Sequence, residues 1–295
     1  MRILGISRGI DYSPNLVGDD AAIFTAVIDE LRHLGHEVIT IREEEMRKQD
    51  YSSFDRVMTM ARNRATLTDM METMLTEYKD EELKKFFNPL RGSLACMSKT
   101  EVAMEMVTAG TPQPQFRVGF KRELMPKSDK MKDDFTLPFW MKNGQGPSTM
   151  PIDTIYCETE QDIEEALNTF SDLCIDFWLV QEHKVGDLIK FYGVEGTNFF
   201  HWQYASKGHS KFGHEKINGK EKGYAFDPNK VHRLAEKLAK KMQVPIYGGD
   251  AVIDEKGKIW FIDFNDFPSF SSCRDQAARA IAERVILGRE LRVDS

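Results

Sequence analysis

The beginning of the chain alternates short apolar runs with one stretch of helical periodicity. Strands are predicted where apolar residues are continuous, and a helix where they recur every three to four positions. Asp19 or Asp20 is expected to cap this helix and Gly35 to end it. Because a strand, a helix and a strand follow one another with short connections, a parallel sheet is predicted. The predicted elements are the strands Ile3–Ile6, His36–Ile41 and Phe54–Met60 and the helix Ala21–Leu34.

The same periodicities predict further elements on both sides of a turn at residues 88–92. Ser98 can cap a helix with Glu101 as its capping-box partner, and Asp227 with Pro228 begins another helix. The predicted helices are Thr68–Phe87, Lys99–Ala109, Thr159–Phe170, Asn229–Met242 and Gln276–Leu287. The predicted strands are Leu137–Lys142, Trp178–His183 and Gly186–Val194.

Two apolar runs near the end of the chain predict a hairpin that carries acidic side chains. The first run ends in the turn Asp254–Gly257, and the second, Ile259–Phe264, follows at once. Asp263 and Asn265 share one face of a strand, and antiparallel pairing would bring Asp250 beside them. Two carboxylates and an amide are oxygen donors of the kind that Mg²⁺ prefers. The pattern favours a metal site over the alternative of ordinary surface acids.

Basic side chains follow two of the predicted strands of the parallel sheet. Arg8 comes after the first strand, and Arg62 and Arg64 come after the third. Because open parallel sheets bind ligands at the carboxyl ends of their strands, these arginines are candidates to face an anionic substrate. Surface arginines on loops are an equally good interpretation. No G-x-G-x-x-G follows the first strand, so a dinucleotide-binding fingerprint is absent there.

Three loops carry glycines or an excess of lysines. The loop Asn143–Ser148 follows a strand that ends on a lysine, and its backbone N–H groups could lie against phosphate. Residues 206–223 mix lysines and glycines with His209 and His214, which predicts a mobile basic loop. Its lysines repel cations, so solvated charge is favoured there over a metal site. The basic stretch Lys121–Lys132 is predicted to be an exposed loop.

Length, composition and charge are those of an ordinary globular protein. The 295 residues suffice for one large domain or two to three small ones, and no apolar run is long enough to span a bilayer. The net charge of −7 argues against a nucleic-acid partner. Four scattered cysteines indicate neither a zinc site nor a disulfide framework. The first residues predict a strand and not a signal peptide, so a cytoplasmic protein without a membrane partner is expected.

Four sequence motifs, in this order, resemble those of the ATP-grasp superfamily, which includes D-alanine ligases, glutathione synthetases and ribosomal-protein glutamate ligases. The motifs are Ser98-Lys99 with its helix ending in Ala109–Pro114, Met141-Lys142, Val180–Glu182 followed by Gly186–Lys190, and Gly249-Asp250 with Ile262–Asn265. The resemblance runs from Ser98 to the C-terminal helix. It implies an α/β (α+β) ATP-grasp fold of two α+β subdomains preceded by a small parallel-sheet α/β domain. The implied boundaries are 1–92, 93–178 for the small lid subdomain, and 179–295 for the C-terminal subdomain with the metal site.

The resemblance implies a role in ATP binding for several residues. Lys99 and Lys142 match the two lysines that hold nucleotide phosphates, and such cations suit polyanions. Asp187 is similar to the acid that binds the ribose hydroxyls. Lys190 matches a basic residue that faces the phosphates or the intermediate, and it is a candidate catalytic residue. The residues that match the adenine-binding hinge are Gln181, Glu182 and His183.

The resemblance also implies a metal site and a substrate site. Asp250, Asp263 and Asn265 correspond to Mg²⁺ ligands that bridge ATP phosphates, which would complete the shell of the ion. For the substrate carboxylate, the candidates are Arg274, which is also a candidate catalytic residue, and Ser271, Arg8 and Arg62.

The chain departs from the superfamily pattern at three places. The loop after Lys142 is shorter and poorer in glycine than is common, which predicts a short lid or a weaker grip on phosphate. Position 263 is aspartate where glutamate is most common, and Pro268-Ser269 replaces the usual Pro-Gly one residue late. The run Asp263–Pro268 and the strand Lys190–Val194 also resemble inositol-phosphate kinases of this fold.

Three functions follow from the resemblance. The first is an ATP- and Mg²⁺-dependent ligase that joins a carboxylate to an amine or thiol through an acyl phosphate, acting on a small molecule or a peptide. The second is a kinase of a small polyol or inositol-phosphate-like molecule. The third is a nucleotide-binding protein without turnover, and a homodimer is left open for all three.

Overall fold

Three four-stranded sheets with helices packed on them make up the part of the chain that the structure describes. The computed structural model describes residues 1–10, 17–77, 83–120, 136–146, 150–207 and 213–288. Its helices are α1 (Val17–His33), α2 (Arg64–Glu77), α3 (Leu90–Cys96), α4 (Lys99–Ala109), α5 (Glu160–Asp172), α6 (Pro228–Met242) and α7 (Arg274–Leu287). None of these helices is long and apolar enough to cross a membrane. The predicted loop Lys121–Lys132, together with Pro147, Ser148 and His209, lies outside the described ranges.

The N-terminal sheet is parallel, which confirms the prediction from the strand–helix–strand order. Its strands are β1 (Arg2–Ser7), β2 (Glu37–Arg42), β3 (Arg56–Thr59) and β4 (Phe86–Phe87), in the spatial order β2–β1–β3–β4. The prediction of a helix over Thr68–Phe87 is wrong at its C-terminal end, where Phe86 and Phe87 form a strand. Phe86 and Phe87 are fully buried and pair with β3 as a short strand. Two adjacent side chains that are both buried suit an extended segment of a parallel sheet, which is covered on both faces.

Helix α1 begins at Val17, before its predicted start at Ala21. Asp19 and Asp20 therefore lie in its first turn, and the prediction that one of them caps the helix is wrong. Both carboxylates are held by arginines instead, Asp20 by Arg8 at 2.9 Å and Asp19 by Arg274 at 2.8 Å. Acidic side chains in a first turn also interact favourably with the helix dipole.

The middle sheet is antiparallel and carries α5 on one face. Its strands are β5 (Phe116–Phe120), β6 (Phe139–Asn143), β7 (Thr154–Cys157) and β8 (Phe177–Glu182), in the spatial order β5–β8–β6–β7. The predicted boundary after residue 178 falls inside β8. Because β8 pairs with β5 and β6 up to Glu182, this subdomain continues to that residue.

The C-terminal sheet is also antiparallel and includes the predicted hairpin. Its strands are β9 (Asp187–Val194), β10 (Phe200–Tyr204), β11 (Ile246–Ile253) and β12 (Ile259–Asp266), in the spatial order β10–β9–β11–β12. Helices α4 and α6 pack on one face of this sheet. The predicted boundary after residue 92 falls inside α3, and α4 belongs with the C-terminal sheet because Val102, Met106 and Ala109 share its core.

The N-terminal and C-terminal sheets share one hydrophobic core. Ile23 and Val27 of α1 pack in the same cluster as Ile281 and Val285 of α7, with Ile246 of β11 beside them. The middle sheet has a separate core, formed with α5. The loops of the N-terminal sheet are thereby fixed against the polar end of the C-terminal sheet.

Candidate functional site

A cavity of about 290 Å³ lies between the middle sheet and the C-terminal sheet, with its inner end at the loops of the N-terminal sheet. Its volume is near the lower limit of small-molecule sites. The middle sheet contributes Trp140, Lys142 and Gln181, the C-terminal sheet Lys190, Asp250 and Asp263, and the N-terminal loops Arg8 and Arg62.

Three charged residues form a row across the C-terminal sheet on the face that borders the cavity. Lys190 on β9 is the register partner of Asp250 on β11, and Asp250 is the partner of Asp263 on β12. Directly opposed residues of antiparallel strands project from the same face, and Asn265 follows two positions after Asp263. All four side chains line the cavity. The structure therefore brings together the residues that the hairpin pattern grouped, and their role as metal ligands stays a prediction.

The two carboxylates of this row have opposite pKa shifts. Burial raises the pKa of Asp250 to about 6, against the opposing charge of Lys190. Burial would also raise the pKa of Asp263, but Lys99 and Lys142 outweigh it, and the pKa of Asp263 is lowered. Lys99 Nζ donates to Asp263 Oδ1 at 2.6 Å, and Asn265 Nδ2 donates to Oδ2 at 3.0 Å. Asp263 is thus held ionised.

Lys142 is a buried cation at the end of β6. Its Nζ donates to Gln181 Oε1 at 2.7 Å and to the carbonyl of Ile262 at 3.1 Å. Burial lowers the pKa of Lys142 to about 8, although the charge of Asp263 opposes the shift. An anion bound next to this ammonium group would favour its protonated form.

The rim of the cavity is formed by the segment that leaves β8, where the sequence predicts an adenine-binding hinge. Glu182 and His183 line the cavity there. The backbone N–H of Glu182 is taken by the carbonyl of Gln115 at 2.9 Å, so the residue before β5 occupies this donor. His183 Nδ1 accepts from Trp140 Nε1 at 3.1 Å, which leaves Nε2 as the protonated nitrogen of the neutral ring. Burial lowers the pKa of His183, which favours that neutral form.

Asp187 does not line the cavity. Its carboxylate accepts the backbone N–H groups of Lys222 at 2.6 Å and Tyr224 at 2.8 Å. It ties the chain that precedes α6 to the start of β9, and this position does not support the predicted contact with a ribose.

The described part of the loop after Lys142 also lies away from the cavity. The N–H of Gly144 donates to the carbonyl of Phe177 at 2.9 Å, and that of Gln145 donates to Asn143 Oδ1 at 3.1 Å. One of these N–H groups is taken by β8 and the other within the loop, so the structure does not support a phosphate grip by Gly144 and Gln145.

Residues 213–218 form a compact turn at the cavity, where the sequence predicts a mobile basic loop. His214, Glu215 and Asn218 line the cavity, and each has a described contact with the walls. In the structure these side chains are packed and hydrogen-bonded against the cavity walls, and their mobility stays a prediction. Residues 208–212 lie outside the described part of the chain.

Two buried ion pairs close the inner end of the cavity. Arg8 Nη1 lies 2.9 Å from Asp20 Oδ2, and Arg62 Nη2 lies 2.8 Å from Asp266 Oδ1. Asp266 is completely buried and Asp20 nearly so. Each aspartate keeps one oxygen, Oδ1 of Asp20 and Oδ2 of Asp266, that has no hydrogen-bond partner among the described residues. Both arginines thus reach the cavity as predicted, but each is already matched by a carboxylate.

A buried glutamate fixes the loops that carry these arginines. The Glu43 carboxylate, in a residue that is 1% exposed, accepts the backbone N–H groups of Gly9, of Arg62 at 2.7 Å and of Asn63 at 3.0 Å. Glu43 therefore ties the loop after β1 to the loop after β3. Its position explains how two separate loops hold their arginines at one place.

The other predicted substrate residues divide between the cavity and its surroundings. Ser271 lines the cavity. Arg274 does not, because it begins α7 and pairs with Asp19 on α1. Arg64 lies outside as well, 3.8 Å from Glu101. The structure therefore gives Arg274 no position for the predicted catalytic role.

The charges of the described residues around the cavity are balanced. Six basic side chains face six acidic ones. The bases are Arg8, Arg62, Lys99, Lys142, Lys184 and Lys190, and the acids are Asp20, Glu182, Glu215, Asp250, Asp263 and Asp266. The inner end in particular carries no excess of positive charge.

The donors around Asp263 fit a hard cation. Asp250 and Asp263 supply carboxylate oxygens and Asn265 an amide oxygen, a set that suits Mg²⁺ when a substrate completes the shell. Among the described residues, no group of three or more His, Cys, Asp or Glu side chains could hold a metal by itself. The site therefore fits an ion that arrives with phosphate oxygens better than a closed protein cage.

Several residues that form or support the cavity were not identified as site residues from the sequence. Glu43, Asp266 and Asn218 act through partners that are distant in the chain. Trp140 precedes the predicted phosphate-binding lysine by two residues, and alternation along the strand could have indicated that both face the cavity.

The whole chain is similar to several solved structures. A RimK-domain ATP-grasp protein from Sphaerobacter thermophilus DSM 20745 matches 97% of this chain and 100% of its own at 15% identity, with a TM-score of 0.66. The D-alanine–D-alanine ligase of Bacillus anthracis in complex with ATP matches 97% of both chains at 12% identity, with a TM-score of 0.66. D-alanyl-alanine synthetase A of Vibrio cholerae O1 biovar eltor str. N16961 matches 97% of this chain and 98% of its own at 12% identity, with a TM-score of 0.71.

These similarities cover 97% of the chain, and the chain has the ATP-grasp fold. Neither a family sequence model nor a curated protein sequence matches it at a significant level.

Proposed function

We propose that this protein is an ATP- and Mg²⁺-dependent ligase that joins a carboxylate to an amine. The observation that carries the proposal is the position of Lys99, Lys142 and Lys190 around the pair Asp250 and Asp263 in one cavity. Ammonium groups suited to polyphosphate surround carboxylates suited to Mg²⁺. The ATP-bound ligase of Bacillus anthracis, which shares the fold, supports ATP as the nucleotide.

The residues of the chain bind and orient the reactants. Lys99, Lys142 and Lys190 would hold the phosphates, and Gln181 orients the Lys142 ammonium group through its hydrogen bond. The Mg²⁺ ligands would be Asp250, Asp263 and Asn265. When bound, ATP supplies a phosphoryl group to the substrate carboxylate, and an amine then displaces phosphate from the acyl phosphate. Such chemistry needs positioning and charge neutralisation and no protein nucleophile.

The inner end of the cavity favours an amine over a phosphorylated polyol. Arg8 and Arg62 are each matched by an aspartate, so no surplus of positive charge is left for a polyphosphate. The unpartnered oxygens of Asp20 and Asp266 are hydrogen-bond acceptors, and both are buried, so a substrate ammonium group would reach them only after a local shift of the wall. This balance supports the ligase over the inositol-phosphate kinase that the run Asp263–Pro268 resembles.

The products of the reaction separate the three functions. The protein is incubated with ATP, Mg²⁺ and pairs of amino acids or short peptides, and the products are identified by phosphorus NMR. At least one pair is expected to yield ADP and free phosphate. A stable phosphoester on an alcohol without free phosphate would identify a kinase. Binding of ATP without ADP under any condition would identify a binding protein, and either result would overturn the ligase.

A further inference from the structure

We infer that residues 213–218, named here the cover segment, occupy part of the nucleotide site and must leave it before ATP binds. The inference rests on the proposed ATP site. Each of three side chains in the segment satisfies a different group on the cavity wall, and each contact resembles one that a nucleotide would make.

The first contact takes a phosphate-binding lysine. Glu215 Oε1 accepts from Lys190 Nζ at 3.0 Å, and both side chains are 17% exposed. Lys190 is the register partner of Asp250, so Glu215 brings a negative charge to the polar row of the C-terminal sheet. A phosphate that pairs with Lys190 has to displace this carboxylate or lie against it, and like charges repel.

The second contact takes carbonyl groups of the segment that follows the predicted hinge. Asn218 Nδ2 donates to the carbonyl of Lys184 at 3.1 Å and lies 3.4 Å from that of Gly186. These carbonyls follow directly after the residues that line the rim. The amide N–H₂ of Asn218 has the same hydrogen-bonding capacity as the exocyclic amine of adenine.

The third contact lies on an aromatic side chain at the rim. The ring centroids of His214 and Trp140 are 5.6 Å apart, and the planes are tilted by 55°. The indole ring is the largest flat surface of the cavity wall that comes from the middle sheet, and a base can stack on it. His214 covers part of that surface.

Backbone hydrogen bonds within the turn hold the cover segment together. The N–H of Ile217 donates to the carbonyl of His214 at 3.0 Å, and that of Gly219 donates to the carbonyl of Lys216 at 3.1 Å. The following residues, Lys222 and Tyr224, are held separately by Asp187. Displacement of the segment therefore leaves its own turn and the start of α6 intact.

A titration with ATP, in the presence of Mg²⁺ and in EDTA, tests this displacement. The variant Glu215→Gln removes the negative charge beside Lys190, and Asn218→Ala removes the contact with the two carbonyls. Both are expected to bind ATP roughly 3- to 10-fold more tightly than the unmodified protein, by isothermal calorimetry. Glu221→Gln is the matched control. Glu221 accepts from Ser206 Oγ at 2.6 Å on the surface, and its loss of charge is expected to leave the affinity unchanged.

Equal or weaker affinity in both variants, with binding by the unmodified protein, would overturn the cover while leaving the ATP site standing. Binding by none of the proteins would overturn the ATP site and the cover together. Hydrogen exchange of the unmodified protein is a second test that needs no variant. Saturating ATP is expected to speed amide exchange in residues 213–218, because the segment leaves the wall. Slower exchange would mean that the segment closes over the nucleotide, and it would contradict the inference.

Discussion

Two buried groups of the cavity are poised to exchange protons near neutral pH. Burial raises the pKa of Asp250 to about 6 and lowers the pKa of Lys142 to about 8. Each shift reflects the cost of keeping a charge away from water without a full complement of partners. A polyphosphate with Mg²⁺ would supply those partners, so ligand binding and protonation are coupled at these two residues.

Binding of ATP at pH 8 is therefore expected to take up protons. The Lys142 ammonium group is about half protonated in the free protein at that pH, and a neighbouring phosphate raises its pKa, so uptake of about half a proton is expected. Asp250, with a pKa of about 6, is already ionised at pH 8 and adds little. Calorimetry in buffers of different ionisation enthalpy measures the uptake.

Lys142→Arg is the control for this uptake, because arginine stays protonated throughout the range. The variant is expected to bind ATP with no proton uptake at pH 8. Equal uptake by the variant and the unmodified protein would assign the proton to another group.

At the scale of elements, the site depends on close packing between neighbouring strands. Gly249 precedes Asp250 on β11 and lies against β12 and β9. A Cβ atom there would meet the carbonyl oxygen of Asp263 and would lie 2.6 Å from Cζ of Phe191. Only glycine lets the strands approach this closely, and the same approach brings the two carboxylates side by side.

Gly249→Ala is expected to lower the free energy of unfolding by about 1–3 kcal/mol, because the added methyl group overpacks the sheet. Chemical denaturation measures the change. Gly18→Ala is the control, since a Cβ there has open space around it within α1, and it is expected to be neutral or slightly stabilising. Equal stability of Gly249→Ala and the unmodified protein would show that the strands can separate without cost.

The hairpin and most helices could be predicted from the sequence because their signals are local. The turn Asp254–Gly257 fixes the pairing of β11 with β12 next to it, from Ile253–Ile259 to Ala251–Phe261. A register shift between Asp250 and Ala251, which the sequence does not indicate, then places Asp250 opposite Asp263. The helix starts at Ser98 and Asp227 carry capping side chains that accept backbone N–H groups, as expected, and Thr159 caps α5 in the same way.

The strands that the sequence did not reveal are all at the edges of their sheets. They are β4, β5, β7 and β10. An edge strand has one partner, and its side chains are only partly covered, so its apolar pattern is weak; every residue of β10, for example, is half-buried. β4 is buried but has only two residues. Periodicity needs more residues than that.

The site residues divide in the same way. Lys142, Gln181 and Asp263 could be predicted because they lie in motifs along single strands. Glu43 and Asp266 could not, because each acts by pairing with a loop far away in the chain. The partnering of Arg8 and Arg62 with aspartates is likewise a property of the folded chain.

At the scale of the whole molecule, the N-terminal and C-terminal sheets form one body through their shared core, while the middle sheet has its own. The cavity lies between these two cores. Because the shared core holds these two sheets together, it also fixes the position of Arg8 and Arg62 relative to Asp250 and Asp263.

Truncation of Ile281 in this shared core is expected to destabilise both sheets together. Ile281 is fully buried, and Ile281→Ala is expected to cost about 2–5 kcal/mol. Native-state hydrogen exchange is expected to lose protection equally in β1 and β11. Ile163→Ala, in the separate core beneath α5, is the control and is expected to spare β1. Loss of protection in β11 with β1 unaffected would contradict a shared core.

The position of lysines and carboxylates around one cavity is the basis of the proposed function, and nucleotide binding tests it most directly. The measurement is the thermal stability of the protein with ATP or ADP, with and without Mg²⁺, beside that of Asp263→Ala. ATP with Mg²⁺ at a hundred times its dissociation constant is expected to stabilise the protein by about 2.7 kcal/mol. Asp263→Ala is expected to lose the part of this gain that depends on Mg²⁺. No rise in melting temperature with either nucleotide at saturating concentration would contradict the proposal.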